Sequence, residues 1–447
     1  MKMNLKKLLA LLLSVALVLG VVPASVFAAG DGAAQADLPK QFVNGYIPFE
    51  LHGSKAITNA YTRGDMAAYS ELTGKTRATL PSSYDSRNYG CVTSVKNQNP
   101  YGTCWAFGTM AAIESSMIKN GKIDANTGNP ATTSTDLSEY HLAWYTFTNA
   151  YDKDGMLTGD KSSSSSGYLD QGGNGAIATL TLMRWEGVAS EATSALKYSN
   201  ASSSGLGANY AYQYNMAHIK NSYWINVANT DAIKEAIMEY GAGTISYYAD
   251  QTSTYFNSST GAYYYNGSSN PNHAVTVVGW DDNYAVSNFN SSRRPSQPGA
   301  WIIKNSWGSS WGKSGYFYLS YEDKSVAASG EIFFYDVDAV DNYNHNYQYD
   351  GTLEVSKSQG LDNQGKIANV FTATGSQSLK AVAVNMWDEA VTYTVDIYKN
   401  PPMPRTPPPA RSRPARAATL NIPATSPWSW TTPSPWLRAT SLPSSSP

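Results

Sequence analysis

The sequence predicts an α+β fold of two lobes, one helical and one built on β-structure. Three observations carry that expectation. A run from Trp105 to Gly121 is apolar on nearly every face through its first half, as a buried helix must be. Apolar β-type runs follow much later, after His273, at Ala300–Lys304 and at Tyr316–Ser320. Helical patterns therefore come first and strand patterns second, which is the order of an α+β domain and not of an alternating α/β one.

Taken in order, Met1 to Ala28 reads as a secretory signal. Lys2, Lys6 and Lys7 precede an apolar stretch from Leu8 to Val22, and Val26-Phe27-Ala28 supplies small residues at a cleavage position. The apolar run is short and is flanked by Pro23, so export is expected rather than a retained anchor. Residues 29–79 are weakly periodic and read as a leader or short propeptide. In the central run, Pro100 and Gly102 are turn residues, Thr103 is a competent N-cap, and Lys119 with Gly121 supplies a cationic last turn and a C-cap. A second helix starts at Thr135 to Leu142, with Asp136 or Ser138 as its cap; His141 on it is expected to pack or face solvent. The serine run 162–166 is loop-like. Gly172-Gly173 precedes a helical stretch from Ala176 to Met183. An amphipathic helix spans Thr230 to Tyr240 and ends at Gly241, with a strand expected over Thr244 to Tyr248.

Beyond about Asp336 the character changes. Val391, Tyr393, Val395 and Ile397 alternate with polar residues, as in a half-buried strand. From Pro401 onward the chain has no Tyr, Gly, Lys, Asp or Glu and is rich in proline. A proline-rich stalk is one reading; the abrupt switch in residue usage favours a frameshifted reading frame. The expected organisation is a signal peptide over 1–28, a leader over 29–79, a two-lobed domain over 80–336, an incomplete β-rich segment over 337–400, and a disordered tail over 401–447.

Composition excludes several classes. The 447 residues carry 32 Lys+Arg against 34 Asp+Glu, a net charge of −2 with no polybasic block, which argues against nucleic acid as a partner. Two cysteines cannot make a disulfide scaffold. Neither metal nor cofactor is expected, and after signal cleavage neither membrane attachment nor an oligomer.

The chemistry centres on Cys104, at the start of the buried helix in Gln-Asn-Pro-Tyr-Gly-Thr-Cys-Trp-Ala-Phe-Gly. A helix N-terminus favours thiolate over thiol. For an isolated cysteine, an inert core thiol is the better reading. His273 opens the apolar run Asn-Pro-Asn-His-Ala-Val-Thr-Val-Val-Gly-Trp, Asn305 closes another in Trp-Ile-Ile-Lys-Asn-Ser-Trp-Gly, and Gln98 stands just upstream of the cysteine. Together these segments resemble the papain and cathepsin family of cysteine peptidases. His273 and Asn305 lie farther from Cys104 than the roughly 130–150 residues typical of the family, and insertions account for the excess.

The resemblance implies a papain-like two-lobed fold with a cleft between the lobes, and a secreted endopeptidase acting on polypeptides through a thiolate–imidazolium pair and a thioester. It assigns Cys104 as nucleophile, His273 as acid and base, Asn305 as the group orienting the imidazole, and Gln98 with the Cys104 N–H as the oxyanion hole. Trp307 would shield the His–Asn bond, and Gly172 and Gly173 would bind substrate as an added strand. Leu80 to Arg87 resembles the family's mature start. The family's disulfide positions are occupied by Tyr101 and Asp170, so that bridge is lost, and Cys91 is read as a free thiol. Glu114 is expected to be an ion-pair partner rather than a catalyst. The stretch Asp341 to Gly351 resembles the junction to a lectin-like β domain of bacterial relatives, which would contact carbohydrate or cell wall and place the protein outside the cell or at its surface. Two rival classes remain: a surface carbohydrate- or wall-binding protein with an inert peptidase domain, and a cell-wall amidase.

Overall fold

The computed structural model describes residues 44, 79–148, 167–250, 252, 254–348, 369–373, 375–382, 395–399 and, as backbone, 417–420. The signal, nearly all of the leader, the serine run, and Val391 and Tyr393 lie outside the described residues. Among those described, no helix is long and apolar enough to cross a membrane.

The central helix runs Cys104–Lys119, and every residue from Cys104 to Met117 is buried. Its apolar side chains point in all directions because neighbours lie on all sides. It packs on the helices Glu139–Phe147 and Gly175–Met183 on one flank, and on the strands Gly243–Tyr247, His273–Asp281 and Glu331–Asp338 on the other. Gly108 lies where the helix meets the sheet: a Cβ there would come to 3.0 Å from Thr244 Cγ2 and 3.3 Å from the Val275 carbonyl oxygen. The two shorter helices are capped by side chains, Ser138 accepting from His141 N and Asn174 from Ile177 N. Thr103, expected as the cap of the central helix, makes no side-chain capping bond. His141 is a packing residue, fully buried with Nε2 against the Tyr210 carbonyl.

The second lobe is one nine-stranded sheet among the described residues. Its path runs His218–Asn226, Glu331–Asp338, Gly243–Tyr247, His273–Asp281, Ala300–Lys304, Tyr316–Ser320, Ala262–Tyr263 and Phe256–Asn257, with Ser83–Asp85 laid against the His273 strand. Every pairing is antiparallel except that of Tyr316–Ser320 with Ala262–Tyr263. Glycine is required at 279, where the sheet slips register and the first strand crosses: a Cβ would sit 2.2 Å from the Tyr84 carbonyl oxygen. Helix Thr230–Tyr240 covers one face with Ile233, Ala236 and Ile237. Two apolar clusters result. One is centred on the central helix with Leu137, Tyr140 and Leu182; the other joins Trp280, Trp301, Trp307 and Phe317 in the sheet lobe. Cys104 belongs to the first and Trp307 to the second, so the site lies on the seam.

The chain does not leave the helical lobe at Asp338. Asn346, Tyr347 and Gln348 are buried; Asn346 Nδ2 and Gln348 Nε2 donate to the carbonyls of Met183 and Arg184, and Tyr343 lies parallel to Trp185. Trp185 in turn stacks on His218 at 4.2 Å. Tyr347 reaches the following β-segment through Gln377 and Phe371. Val395–Tyr398 alternates partly buried and exposed residues, as expected, and pairs antiparallel with Ala417–Leu420, across the boundary expected at Asn400.

A chain ending after Asp338 should therefore melt below one ending after Gln348. In a domain of this size each kcal/mol is worth about 2–4 °C, so loss of the strap should lower Tm by several degrees in thermal unfolding. Equal melting temperatures would mean that residues 339–348 add nothing to the helical lobe.

Candidate active site

The histidine strand begins at His273, and its second residue holds the sulfur: Ala274 N–H donates to Cys104 Sγ at 3.4 Å. The helix start and the strand start therefore meet at Cys104. Asn305 follows the last residue of the neighbouring strand, Ala300–Lys304, and its Oδ1 lies 2.8 Å from His273 Nε2. The same oxygen accepts from Ser306 N–H at 2.8 Å. Turning the amide over would aim its NH2 at that backbone donor, so the orientation is fixed. Nε2 must then carry the ring proton, and Nδ1, which makes no hydrogen bond, presents a lone pair. Trp307 stacks on the imidazole at 4.4 Å with planes 15° apart and is almost fully buried. Burial lowers the His273 pKa to about 4, and the Asn305 bond opposes that shift.

Gln98 reaches the same place through paired main chain: its N–H donates to the Ser306 carbonyl at 2.8 Å, and Asn97 bridges to Trp307. Its side chain is aimed by two contacts. Oε1 accepts from Ser306 Oγ at 2.7 Å, and Nε2 donates one of its two hydrogens to the Tyr101 carbonyl at 3.0 Å. Gly172 has φ +75°, a left-handed conformation, and Gly173 lies against the Trp105 indole, where a Cβ would come within 2.5 Å. The backbone of this pair thus sits beside the residue that follows Cys104.

All five of Cys104, His273, Asn305, Gln98 and Trp307, with the glycine pair alongside, are brought together by the fold. Sequence reasoning missed Ser306, which aligns both amides, and it missed Asp170 as a tie. Asp170 Oδ1 accepts from Gly102 N–H at 3.0 Å, joining by a hydrogen bond the two segments that the family resemblance joins by a disulfide. Cys91 is buried away from this chemistry with its thiol against the Tyr89 carbonyl; burial raises its pKa, with Lys119 opposing. Among the described residues no group of side chains forms a metal site.

Behind Asn305 lies a buried ionic cluster. Glu114, fully buried on the central helix, accepts from Thr93, Lys96 Nζ and the Leu137 N–H. Lys96 also pairs with Glu139 at 2.8 Å and with Asp136, and Lys304 Nζ donates to Thr93 Oγ1 at 2.9 Å. Burial favours neutral Glu114, yet Lys96 and Lys304 outweigh it and hold the carboxyl below its ordinary range. Burial lowers Lys304 to about 8 against the pull of Glu114. Lys96, Glu139 and Lys304 line a small cavity with Gly108, Asn305 and Ser306. Glu114 is thus an ion-pair partner, as expected, with no contact to Cys104 or His273 among these bonds.

Comparison with known proteins supplies relatives. The profile of the papain family cysteine protease matches residues 80–142 and 160–334, and that of the lectin-like domain matches residues 346–419. Mouse cathepsin K is 32% identical over 250 residues, which is 54% of this chain and 60% of that protein. Mouse procathepsin L is 28% identical over 248 residues, again 54% of this chain and 60% of that protein. The chain therefore spans about three fifths of the length of these curated relatives. The solved structure of the clostridial cysteine protease Cwp84 after propeptide cleavage is 25% identical, with a TM-score of 0.55 over 80% of this chain and 83% of that one. A second structure holds the cysteine protease and lectin-like domains of Cwp84, a surface layer associated protein of Clostridium difficile. It is 25% identical with a TM-score of 0.52, covering 82% of this chain and 75% of that one.

The cluster makes a pH prediction. Burial raises the Glu139 carboxyl from 4.5 to about 8 against the pull of Lys96. The folded chain then keeps a proton that the unfolded chain has released, so this group's contribution to stability is complete below about pH 4.5 and is lost as pH rises towards 8. Glu139→Gln cannot titrate. The Tm of the native chain minus that of the variant should shrink steadily across that window in thermal unfolding at stepped pH. A constant or widening gap would mean that Lys96 keeps Glu139 ionised throughout.

Proposed function

Because the chain belongs to the papain family of cysteine proteases, we propose that it is a secreted endopeptidase that cleaves peptide bonds by acyl transfer through Cys104. The observation that supports this most is the doubly held Asn305 amide, which commits the His273 proton to Nε2 and leaves Nδ1 to act as the base.

In this reading Cys104 Sγ–H gives its proton to His273 Nδ1, and the sulfur attacks the substrate carbonyl carbon. An imidazolium alone is disfavoured in so buried a place, as the lowered His273 pKa indicates. The thiolate formed in the same transfer supplies the compensating charge, while the helix N-terminus and the Ala274 N–H stabilise the sulfur anion. Gln98 Nε2 and the Cys104 N–H receive the carbonyl oxygen as it becomes an oxyanion. Collapse breaks the C–N bond, the imidazolium protonates the leaving amine, and a thioester remains. Water then attacks the thioester, giving its proton to His273 Nδ1, and release of the acid restores the thiol. Gly172 and Gly173 offer backbone to the substrate as to an added strand. The domain division we propose follows the sequence reading for signal 1–28 and leader 29–79, and extends the peptidase domain from 80–336 to Gln348 on the strength of the bonds to Met183 and Arg184, with a lectin-like β-segment beyond. The lectin-like match from 346 to 419 supports carbohydrate or cell-wall contact by that segment, and the Cwp84 likeness supports a location outside the cell or at its surface. The protein would act as a monomer with no cofactor.

Cleavage of casein, run beside release of soluble fragments from purified peptidoglycan, tests the reading. Cys104→Ala should abolish casein cleavage with the fold intact, and Cys91→Ala should keep most of it. Gln98→Ala should lower turnover by about 10²–10³. Peptidoglycan cleavage without proteolysis would make the protein an amidase, and activity surviving Cys104→Ala would remove the nucleophile assignment.

A further inference from the structure

We propose that Tyr198 is a positioning residue for the oxyanion-binding turn, its hydroxyl bridging the main chain of Gln98 to the side chain of Thr103. The proposal rests on the reading of Gln98 Nε2 and the Cys104 N–H as the two oxyanion donors. Tyr198 lies about a hundred residues beyond that turn in the chain, and none of the sequence motifs includes it.

The hydroxyl makes two short contacts, 2.6 Å to the Gln98 carbonyl oxygen and 2.6 Å to Thr103 Oγ1. A phenol has one proton, and a carbonyl can only accept. Tyr198 therefore donates to Gln98, and the Thr103 hydroxyl must donate to Tyr198. The result is a directed relay, Thr103 to Tyr198 to Gln98, in which each bond polarises the next. It explains why Thr103 makes no capping bond: its hydroxyl is already used. It spans the two ends of the turn, one carrying the Gln98 amide and the other preceding the Cys104 N–H. The Gln98 carbonyl also accepts from Tyr101 N–H, and the Thr103 carbonyl takes the first bonds of the central helix from Ala106 and Phe107. Fixing those two residues fixes the directions of both donors.

Tyr198 is itself held on three sides. Its ring meets Phe107 edge-on at 4.7 Å and Tyr101 at 6.2 Å, and its N–H donates to Glu191 Oε1 at 2.8 Å. Glu191 N–H in turn donates to the Asp136 carbonyl. Burial raises the phenol pKa well above its ordinary value, so the bridging proton stays in place at any working pH. Thr103 and Gln98 are fully buried, so water does not compete for either end.

Tyr198→Phe keeps the ring and removes the relay. Peptide turnover should fall roughly tenfold or more with KM nearly unchanged, a smaller loss than from removing an oxyanion donor outright. Alkylation of Cys104 by iodoacetamide uses the same thiolate and imidazole but forms no oxyanion, so its rate and pH profile should stay within about twofold of the parent. In a Gln98→Ala background the effect of Tyr198→Phe should shrink severalfold, because the group it positions is gone. Thr103→Val, which removes the other end of the relay and leaves Tyr198 in place, should lower turnover in the same way if Tyr198→Phe folds poorly. Parallel loss of alkylation and turnover, or an undiminished effect in the Gln98→Ala background, would overturn the proposal. An unchanged turnover for Gln98→Ala itself would instead overturn the oxyanion assignment on which it rests.

Discussion

A carboxylate buried on a buried helix must find its partners inside the protein, and Glu114 finds them in both lobes. Thr93 and Lys96 come from the segment that leads to Gln98, the Leu137 N–H from the entry to the second helix, and Lys304, through Thr93, from the end of the strand that Asn305 follows. The charge cannot be left unpaired, since breaking one partner from such a cluster costs about 3–5 kcal/mol. Each partner is therefore held to a narrow position. Lys96 lies two residues before Gln98, Lys304 lies one before Asn305, and Glu114 shares its helix with Cys104. One interior charge thus places three of the proposed catalytic groups relative to one another without touching any of them.

The seam between the lobes has a second set of ties nearer the sulfur. Ser306 serves both amides, donating its N–H to Asn305 and its hydroxyl to Gln98, while its carbonyl receives the Gln98 N–H. A single residue thereby couples the amide proposed to orient the base to the amide proposed to bind the oxyanion. An error in the placement of one would carry to the other, and the rigidity of the strand end limits both. This is the physical meaning of the Asn-Ser-Trp-Gly run: amide, aligning serine, aromatic cover and a glycine at φ +79° that turns the chain away.

Much of this was legible in sequence because the signals are local. The strands Ala300–Lys304 and Tyr316–Ser320 and the helix Thr230–Tyr240 fall where periodicity and capping residues placed them. Cys104, His273, Asn305, Gln98 and Trp307 could be proposed as site residues because each sits within a short run of fixed order at or near the end of a helix or strand. What was illegible acts through space. Thr103 has the composition of a cap, yet its hydroxyl serves Tyr198, because tertiary contact overrode the local preference. Asp170 read only as a missing cysteine, and its bond to Gly102 has no sequence signature. The extent of the helical lobe was also misjudged, since the strap after Tyr343 is polar and aperiodic and its burial depends on the carbonyls of Met183 and Arg184.

The turn from Gln98 to Thr103 shows what replaces a covalent tie. Beside the bonds of Ser306 to Gln98, it is held from outside by Asp170 at the Gly102 N–H, by the Ala201 carbonyl at the Tyr101 hydroxyl, and by Tyr198 at Gln98 and Thr103. A disulfide restrains a loop whether or not water surrounds it, whereas a hydrogen bond contributes only about 0.5–1.5 kcal/mol net and must be kept dry to resist exchange. The aromatic side chains of Tyr101, Phe107 and Tyr198 packed around this turn are therefore part of the tie itself. They shelter the relay, and they make the placement of the proposed oxyanion donors depend on side-chain packing between segments about a hundred residues apart. Such a turn does not change with the redox state of its surroundings, so the thiol of Cys104, proposed as the nucleophile, can be kept reduced without loosening the loop beside it.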